Sequence, residues 1–87
     1  MNPEEIKSDK VLDTRGLSSP MPVLKMINAL RSLAKGKTLE VWCSDPDFQK
    51  DFNALCDKKL NRYLGQLDDP DGYIRFFIKK ENKQELQ

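Results

Sequence analysis

The chain has 87 residues, with 15 lysines and arginines, 14 aspartates and glutamates, and no histidine. This length suits one domain with a modest core, so we expect any chemistry to lie at the surface and not in a deep cavity. The absence of histidine excludes Ser-His or Cys-His catalysis and a histidine-ligated zinc site within the chain. A net charge of +1 argues against non-specific nucleic-acid binding as the main function.

The cysteines and the N-terminus bear on the compartment. Two cysteines, Cys43 and Cys56, are too few for a disulfide framework, so we predict free thiols in a reducing environment. Residues 1–10 are polar and lack the apolar stretch of a signal peptide, and no apolar run reaches transmembrane length. The sequence therefore predicts a soluble, cytoplasmic protein that binds no cofactor or metal and does not associate with a membrane.

A single domain is predicted over residues 10–80. Residues 1–9 are polar and indicate a flexible leader, and residues 81–87 form a polar tail. The first element is a short strand over Lys10–Asp13, because two apolar residues stand before a turn that contains Gly16.

The stretch 19–34 predicts a helix. Ser19 is a typical N-cap residue, Pro20 suits the first helical position, and Pro22 is tolerated within the first turn. Gly36 is placed to end the helix. The apolar stripe consists of residues at helical spacing, namely Val23, Leu24, Ile27, Leu30 and Ala34, with Met26 and Leu33 beside it.

Residues 38–43 alternate and are rich in β-forming types, which predicts a second strand. The Asp45-Pro46 pair indicates a turn that starts a second helix over residues 48–59. Strands over residues 62–67 and 73–79 follow, joined by the turn sequence Asp-Asp-Pro-Asp-Gly. In the last strand Ile74, Phe76 and Ile78 form the predicted core face.

The element order β-α-β-α-β-β predicts an α+β two-layer sandwich. A right-handed β-α-β unit makes the first two strands parallel and puts the helix on one face of the sheet. We therefore expect a four-stranded mixed sheet with two helices packed on one face.

The most informative stretch runs from Asp13 to Pro22, between the first strand and the first helix. This edge of a β-α-β unit commonly handles ligands, and a helix N-terminus carries partial positive charge. A cysteine at position 19 would have a lowered pKa there, and Arg15 would add positive charge. The residue present is Ser19, whose hydroxyl cannot form a persulfide, and the sequence indicates no general base that would activate it. The residues alone therefore predict an exposed, positively biased helix start.

The pattern from Asp13 to Lys25, Asp-x-Arg-Gly-Leu-x-Ser-Pro-x-Pro-x-x-Lys, resembles the signature of the TusA/SirA family of sulfur carriers. In that family the motif reads Gly-Leu-x-Cys-Pro-x-Pro. The resemblance continues through the Asp-Pro turn, the region of Cys56 and the last strand, and covers nearly all of residues 10–80. Ser19 therefore stands where the family has its sulfur-carrying cysteine.

The resemblance implies a sulfurtransferase-type carrier that accepts sulfane sulfur as a persulfide on residue 19 and passes it on. The implied donor is a cysteine desulfurase or rhodanese-type protein, and the implied acceptor is a DsrE-like protein, with no direct nucleic-acid binding. The implied processes are tRNA thiolation, cofactor biosynthesis and sulfur oxidation. Two explanations of Ser19 remain open: a Cys→Ser substitution in an active carrier, which the surrounding motif favours, or a natural non-catalytic paralogue that binds partners or regulates them.

Other residues of the stretch have simpler alternatives. Asp13 is expected to shape the turn by accepting backbone N–H bonds, and Gly16 to adopt a backbone conformation that other residues disfavour. Arg15 is either a solvent-exposed turn residue or a group that tunes residue 19 or touches a partner. Cys43 ends a strand at the same edge and is either a small apolar filler or a second thiol in the relay.

Overall fold

The computed structural model of the protein describes residues 6–50, 52 and 61–81. The described strands are β1 (Lys10–Asp13), β2 (Thr38–Cys43), β3 (Asn61–Asp68) and β4 (Ile74–Lys80), and helix α1 spans Met21–Ser32. Residues 48–50 and 52 are also helical and mark the second helix; the remainder of the predicted range 48–59, with Cys56, lies outside the described residues. The predictions of β1 and β2 are confirmed to the residue.

The four strands form one mixed sheet in the order β1-β2-β4-β3. β1 and β2 are parallel, whereas β4 is antiparallel to both β2 and β3. The hairpin between β3 and β4 is closed by hydrogen bonds from Asp69 N to Tyr73 O (2.8 Å) and from Gly72 N to Asp69 O (3.0 Å). The α+β architecture and the turn are therefore as the sequence predicts.

One buried cluster joins both helices to one face of the sheet. Alternate strand residues supply the sheet side of this core, which places both helices on that face. The buried members include Met26, Ala29 and Leu30 from α1, Phe48 and Phe52 from the second helix, and Leu39, Val41, Cys43, Phe76 and Ile78 from the sheet.

Three predictions of side-chain burial are wrong. Ala34, placed at the end of the apolar stripe, is exposed and lies beyond α1, which ends at Ser32 and not at residue 34. Leu24, placed on the apolar stripe of α1, is 49% exposed, because the buried side of the helix runs through Pro22, Met26 and Ala29 instead. Phe77, expected opposite the core face of β4, is only 1% exposed. It lies on the face without helices, where the guanidinium of Arg75 stands 5.6 Å from its ring.

The C-terminal end of α1 is completed by a distant lysine. Lys80 is buried, and its ammonium donates to the carbonyl of Leu33 at 2.6 Å and to that of Arg31 at 3.3 Å. Ser32 Oγ donates to the Ala29 carbonyl, so several of the carbonyls left open at a helix end are satisfied. The positive charge also suits the negative end of the helix dipole.

The leader contacts the sheet where it is described. Ser8 Oγ donates to Glu40 at 2.9 Å, and the Asp9 carboxylate accepts from Thr38 N at 2.8 Å. Residues 1–5 and 82–87 lie outside the described part of the chain. No helix in the described ranges has the length and apolar character needed to cross a membrane.

Candidate functional site

The loop between β1 and α1 is fastened to the end of β2. The buried Thr14 donates to the carbonyl of Trp42 through both its backbone N–H (2.8 Å) and its hydroxyl (2.6 Å). Gly16 has a φ of 83° and donates its N–H to Ser44 Oγ at 3.0 Å. The positive φ favours glycine here, as predicted, because a side chain would be strained in this conformation. The loop therefore has a defined course before it reaches residue 19.

Ser19 is exposed, and its backbone N–H donates to Asp45 Oδ2 at 2.5 Å. Helix α1 begins two residues later at Met21, and Pro20 is its N-cap residue with no side-chain cap hydrogen bond. The prediction that Ser19 caps the helix is therefore wrong, and Pro20 stands one position before the first helical residue. Pro22 lies in the first turn, as predicted, and is buried. The backbone at Ser19, which the local pattern assigned to the helix, is instead held by the carboxylate of Asp45, a residue distant in sequence.

Asp45 connects the two loops at this edge of the sheet. Its Oδ2 accepts from Ser19 N, while its Oδ1 accepts from Asp47 N at 3.0 Å. The backbone carbonyl of Asp45 also accepts from Phe48 N at 3.2 Å, where the second helix begins. One side chain thus fixes the backbone at residue 19 and the turn that follows β2. The sequence pattern assigned Asp45 only to that turn and missed its contact with residue 19.

The charge around residue 19 differs from the predicted positive bias. The strand ends and turns of this edge bring together more carboxylates than cations among the described residues. The two arginines nearest this edge are paired with Asp13 and with Glu40. The carboxylates of the edge belong to Asp13, Asp45, Asp47, Asp68, Asp69 and Asp71. Within the described part of the chain, the N-terminus of α1 is a source of positive potential near residue 19.

Arg15 is bound on several sides. Its Nε and Nη2 donate to the two carboxylate oxygens of Asp13 at 2.9 and 2.8 Å, a bidentate pair. Its guanidinium carbon lies 4.9 Å from the ring centroid of Trp42 and 4.8 Å from that of Tyr73. The side-chain hydrogen bond lowers the pKa of Asp13 and raises that of Arg15. The sequence pattern did not indicate the two aromatic partners.

Asp13 performs the predicted turn-shaping role, since its Oδ1 accepts from the backbone N–H of Arg15 at 3.0 Å. The same carboxylate holds the Arg15 side chain, so backbone and side chain are fixed together. The ring centroids of Trp42 and Tyr73 are 5.4 Å apart. Arg15, Asp13 and the two rings form a cluster that we call the arginine clamp, and it ties the loop to β2 and to the residue that precedes β4.

Cys43 lies in the core. It is 2% exposed and belongs to the buried cluster beneath the helices. Burial is the largest cause that raises the pKa of its thiol, which favours the neutral form over the reactive thiolate. Its sulfur stands 4.0 Å from the Asp45 carbonyl, so it ends β2 at the edge of residue 19 but points inward. This position suits a small apolar filler.

The two best-formed cavities lined by described residues both lie away from residue 19. One cavity of about 380 Å³ lies at the other end of the sheet and another of about 320 Å³ lies beside α1. No group of three metal-ligating side chains occurs among the described residues. The arrangement can present residue 19 to a partner, with Asp45 and the arginine clamp holding the loop.

The chain is similar to known proteins over most of its length. The family described as "Sulfurtransferase TusA" matches residues 10–80. The protein YrkI of Bacillus subtilis is 37% identical over 75 residues, which cover 86% of this chain and 99% of YrkI. The sulfur carrier protein TusA of Allochromatium vinosum is 35% identical over 72 residues, covering 83% of this chain and 93% of that protein.

A similar fold is seen in the crystal structure of a SirA-like protein from Desulfitobacterium hafniense. The TM-score is 0.72 at 19% identity, and the match covers 84% of this chain and 99% of that one. Fold and site thus define a small α+β protein with an exposed serine in the loop that leads into α1. The chain belongs to the TusA family, as the family match and the identity to its curated relatives show.

Proposed function

We propose that this protein is a carrier-type member of the TusA family that presents residue 19 to sulfur-handling partner proteins. With cysteine at that position it takes up sulfane sulfur as a persulfide; with Ser19, as in this chain, it binds the same partners without taking up sulfur. The exposed position of Ser19, held by Asp45 at the start of α1, is the observation on which this proposal rests. The names of its relatives, which include sulfur carrier proteins, support it further.

The proposed transfer step is an exchange between sulfur atoms. The thiolate at position 19 attacks the terminal sulfur of a donor persulfide, and a new S–S bond forms as the donor's S–S bond breaks. The donor leaves as a thiolate, so electrons balance without an external oxidant or reductant. The reverse exchange with an acceptor thiolate releases the sulfur. The protein contributes presentation of the group, because the loop is fixed and the residue is exposed.

A cysteine desulfurase or rhodanese-type donor and a DsrE-like acceptor are the partners we propose, in the cytoplasm. The processes served would be tRNA thiolation, cofactor biosynthesis or sulfur oxidation. The second candidate function is that of a natural non-catalytic paralogue that docks on sulfur-handling proteins or regulates them. The specific observation in its favour is the combination of Ser19 with a buried Cys43, since no described thiol is presented to solvent.

The loading experiment compares the Ser19 chain with its Ser19→Cys variant. Each is treated with inorganic polysulfide, alkylated and digested with trypsin, which separates the three cysteine positions: residue 19 in peptide 16–25, Cys43 in 38–50 and Cys56 in 51–58. We expect one added sulfur on peptide 16–25 of Ser19→Cys and none on peptide 38–50. Sulfur only on the other peptides, or on none, would contradict the proposed site.

A competition experiment tests whether the Ser19 chain docks. A cysteine desulfurase with free cysteine loads the Ser19→Cys variant, and excess Ser19 chain is added. We expect the rate of loading to fall as the two forms compete for the donor. An unchanged rate at large excess would show that the Ser19 chain does not bind this donor, and would also count against the paralogue interpretation for that partner.

A further inference from the structure

A cavity of about 380 Å³ lies at the end of the sheet opposite residue 19. The leader before β1, the start of β2, the start of β3 and the end of β4 contribute to it. Three of its lining residues are cations and two are aliphatic. The lining includes Ile6, Lys7, Thr38, Arg62, Leu64 and Lys79.

The positive charge of this cavity is balanced only in part among the described residues. Arg62 and Lys79 are direct cross-strand partners on β3 and β4, and like charges in that arrangement are destabilising. Arg62 Nη1 forms a long ion pair with Glu81 Oε1 at 3.9 Å, whereas the described residues give Lys7 and Lys79 no ion pair. The carboxylate of Asp9 is engaged by the backbone N–H of Thr38. A bound anion would therefore relieve a repulsion that the fold itself maintains.

The apolar part of the lining restricts the class of ligand. Leu64 stands at the register shift between Tyr63 and Gly65, where β3 has one residue more than β4, and with Ile6 it adds aliphatic surface beside the cations. No aromatic side chain lines the cavity among the described residues. Proteins that bind single-stranded nucleic acid stack bases on aromatic rings, so this lining does not suit bases.

We propose that this cavity binds an acidic segment of a partner protein, with carboxylates facing Lys7, Arg62 and Lys79 and an aliphatic side chain against Leu64. The proposal does not depend on the chemistry of residue 19, because the cavity lies at the other end of the sheet. It also explains how a chain of net charge +1 can recognise an anionic partner, since the cations are gathered at one end.

The experiment titrates the full Ser19 chain, labelled with ¹⁵N, with a short peptide in which glutamate alternates with leucine. We expect saturable shifts at the amides of Lys7, Thr38, Arg62 and Lys79, and weaker binding as salt is raised. The double variant Arg62→Gln/Lys79→Gln should weaken binding by about tenfold or more. Lys25→Gln, which removes an exposed cation of α1, should leave affinity within about twofold.

Lys7→Gln is the second variant, because it alters the cavity without touching a strand, and it too should weaken binding. Three results would overturn the proposal: shifts spread over all surface lysines, no saturable binding, or equal weakening by Lys25→Gln. Titration with inorganic phosphate and with oligouridylate distinguishes other anions. If either produces the same shifts at equal or lower concentration, the site is not specific for an acidic peptide and the proposal is wrong.

Discussion

Replacing Lys80 by methionine tests how the fold completes its first helix. The ammonium donates to two carbonyls at the end of α1, those of Arg31 and Leu33. Hydrogen bonds from charged donors contribute about 1.5–3 kcal/mol each, and a cation at a helix C-terminus contributes about 0.3–2 kcal/mol. Methionine keeps most of the apolar stem, and water reaches part of the exposed carbonyls. We therefore expect Lys80→Met to lower the free energy of unfolding by about 2 kcal/mol.

The assay is urea denaturation followed by circular dichroism, with thermal unfolding as a second measurement. For a domain of this size a loss of about 2 kcal/mol lowers the melting temperature by roughly 8–16 °C. The matched control is Lys79→Met, the neighbouring lysine on the opposite face of β4. Because Lys79 faces Arg62 and donates to no described helix carbonyl, its replacement should change stability by less than about 0.5 kcal/mol.

The reasoning is refuted if Lys80→Met unfolds within about 0.5 kcal/mol of the parent, or if both lysine variants lose the same stability. A local readout separates the cap from general packing. The amide resonances at the C-terminal end of α1 should shift in Lys80→Met and stay in place in Lys79→Met. If the shifts appear instead throughout the sheet, the lysine supports the core and does not act as a cap.

Three further outcomes are expected. Glu40→Gln should flatten the acid side of the curve of unfolding free energy against pH. Burial raises the pKa of Glu40, but its three hydrogen bonds outweigh burial and hold the pKa below the ordinary 4.5, so the stabilisation by Glu40 is lost as pH falls below that value. An unchanged slope in the variant would contradict this. In the Ser19→Cys background, Asp45→Asn should raise the alkylation rate of the residue-19 thiol about threefold at neutral pH, because it removes a negative charge that disfavours the thiolate. Asp47→Asn should leave the rate unchanged, and equal rates in both variants would refute the role of Asp45. Cys43 should resist thiol reagents until the chain unfolds, as followed by mass; rapid native labelling would show that it is accessible.

Local patterns predicted the elements but not the polar contacts between them. The strand limits of β1 and β2 and the turn after β3 follow from residues that are neighbours in sequence. The N-cap prediction at Ser19 failed because α1 begins at Met21 with Pro20 as its N-cap residue, while Asp45, 26 positions away, accepts the backbone N–H of Ser19. Capping rules consider only the residues around a helix end, and they cannot indicate a carboxylate that the fold brings from another loop.

The same reason explains the other errors. The C-terminal cap of α1 comes from Lys80, 47 to 49 positions away, whereas the sequence offered Gly36 for that end. The burial of Phe77 follows from contacts on the face without helices, which an alternating pattern assigns to solvent. Arg15 was singled out by its motif, but its stacking on Trp42 and Tyr73 depends on the strand order, which puts β2 beside β4.

The strand order also separates the two surfaces to which we assign function. β2 begins at Thr38, which lines the cavity proposed to bind an acidic segment. It ends at Cys43, next to the loop that holds residue 19. Five residue steps put these ends roughly 17 Å apart. That distance exceeds the Debye length of about 8 Å in physiological salt, so charge bound in the cavity acts only weakly on residue 19. An acidic segment and a sulfur donor should therefore bind together without direct competition.

The measurement is the rate at which polysulfide loads the Ser19→Cys variant, with and without saturating acidic peptide. We expect rates that agree within about twofold, because screening removes most of the electrostatic coupling. The Arg62→Gln/Lys79→Gln background is the control, since the peptide should have no effect there at the same concentration. A peptide-dependent change of about tenfold in the parent background alone would mean that the two ends of β2 are coupled through the fold and that their independence is wrong.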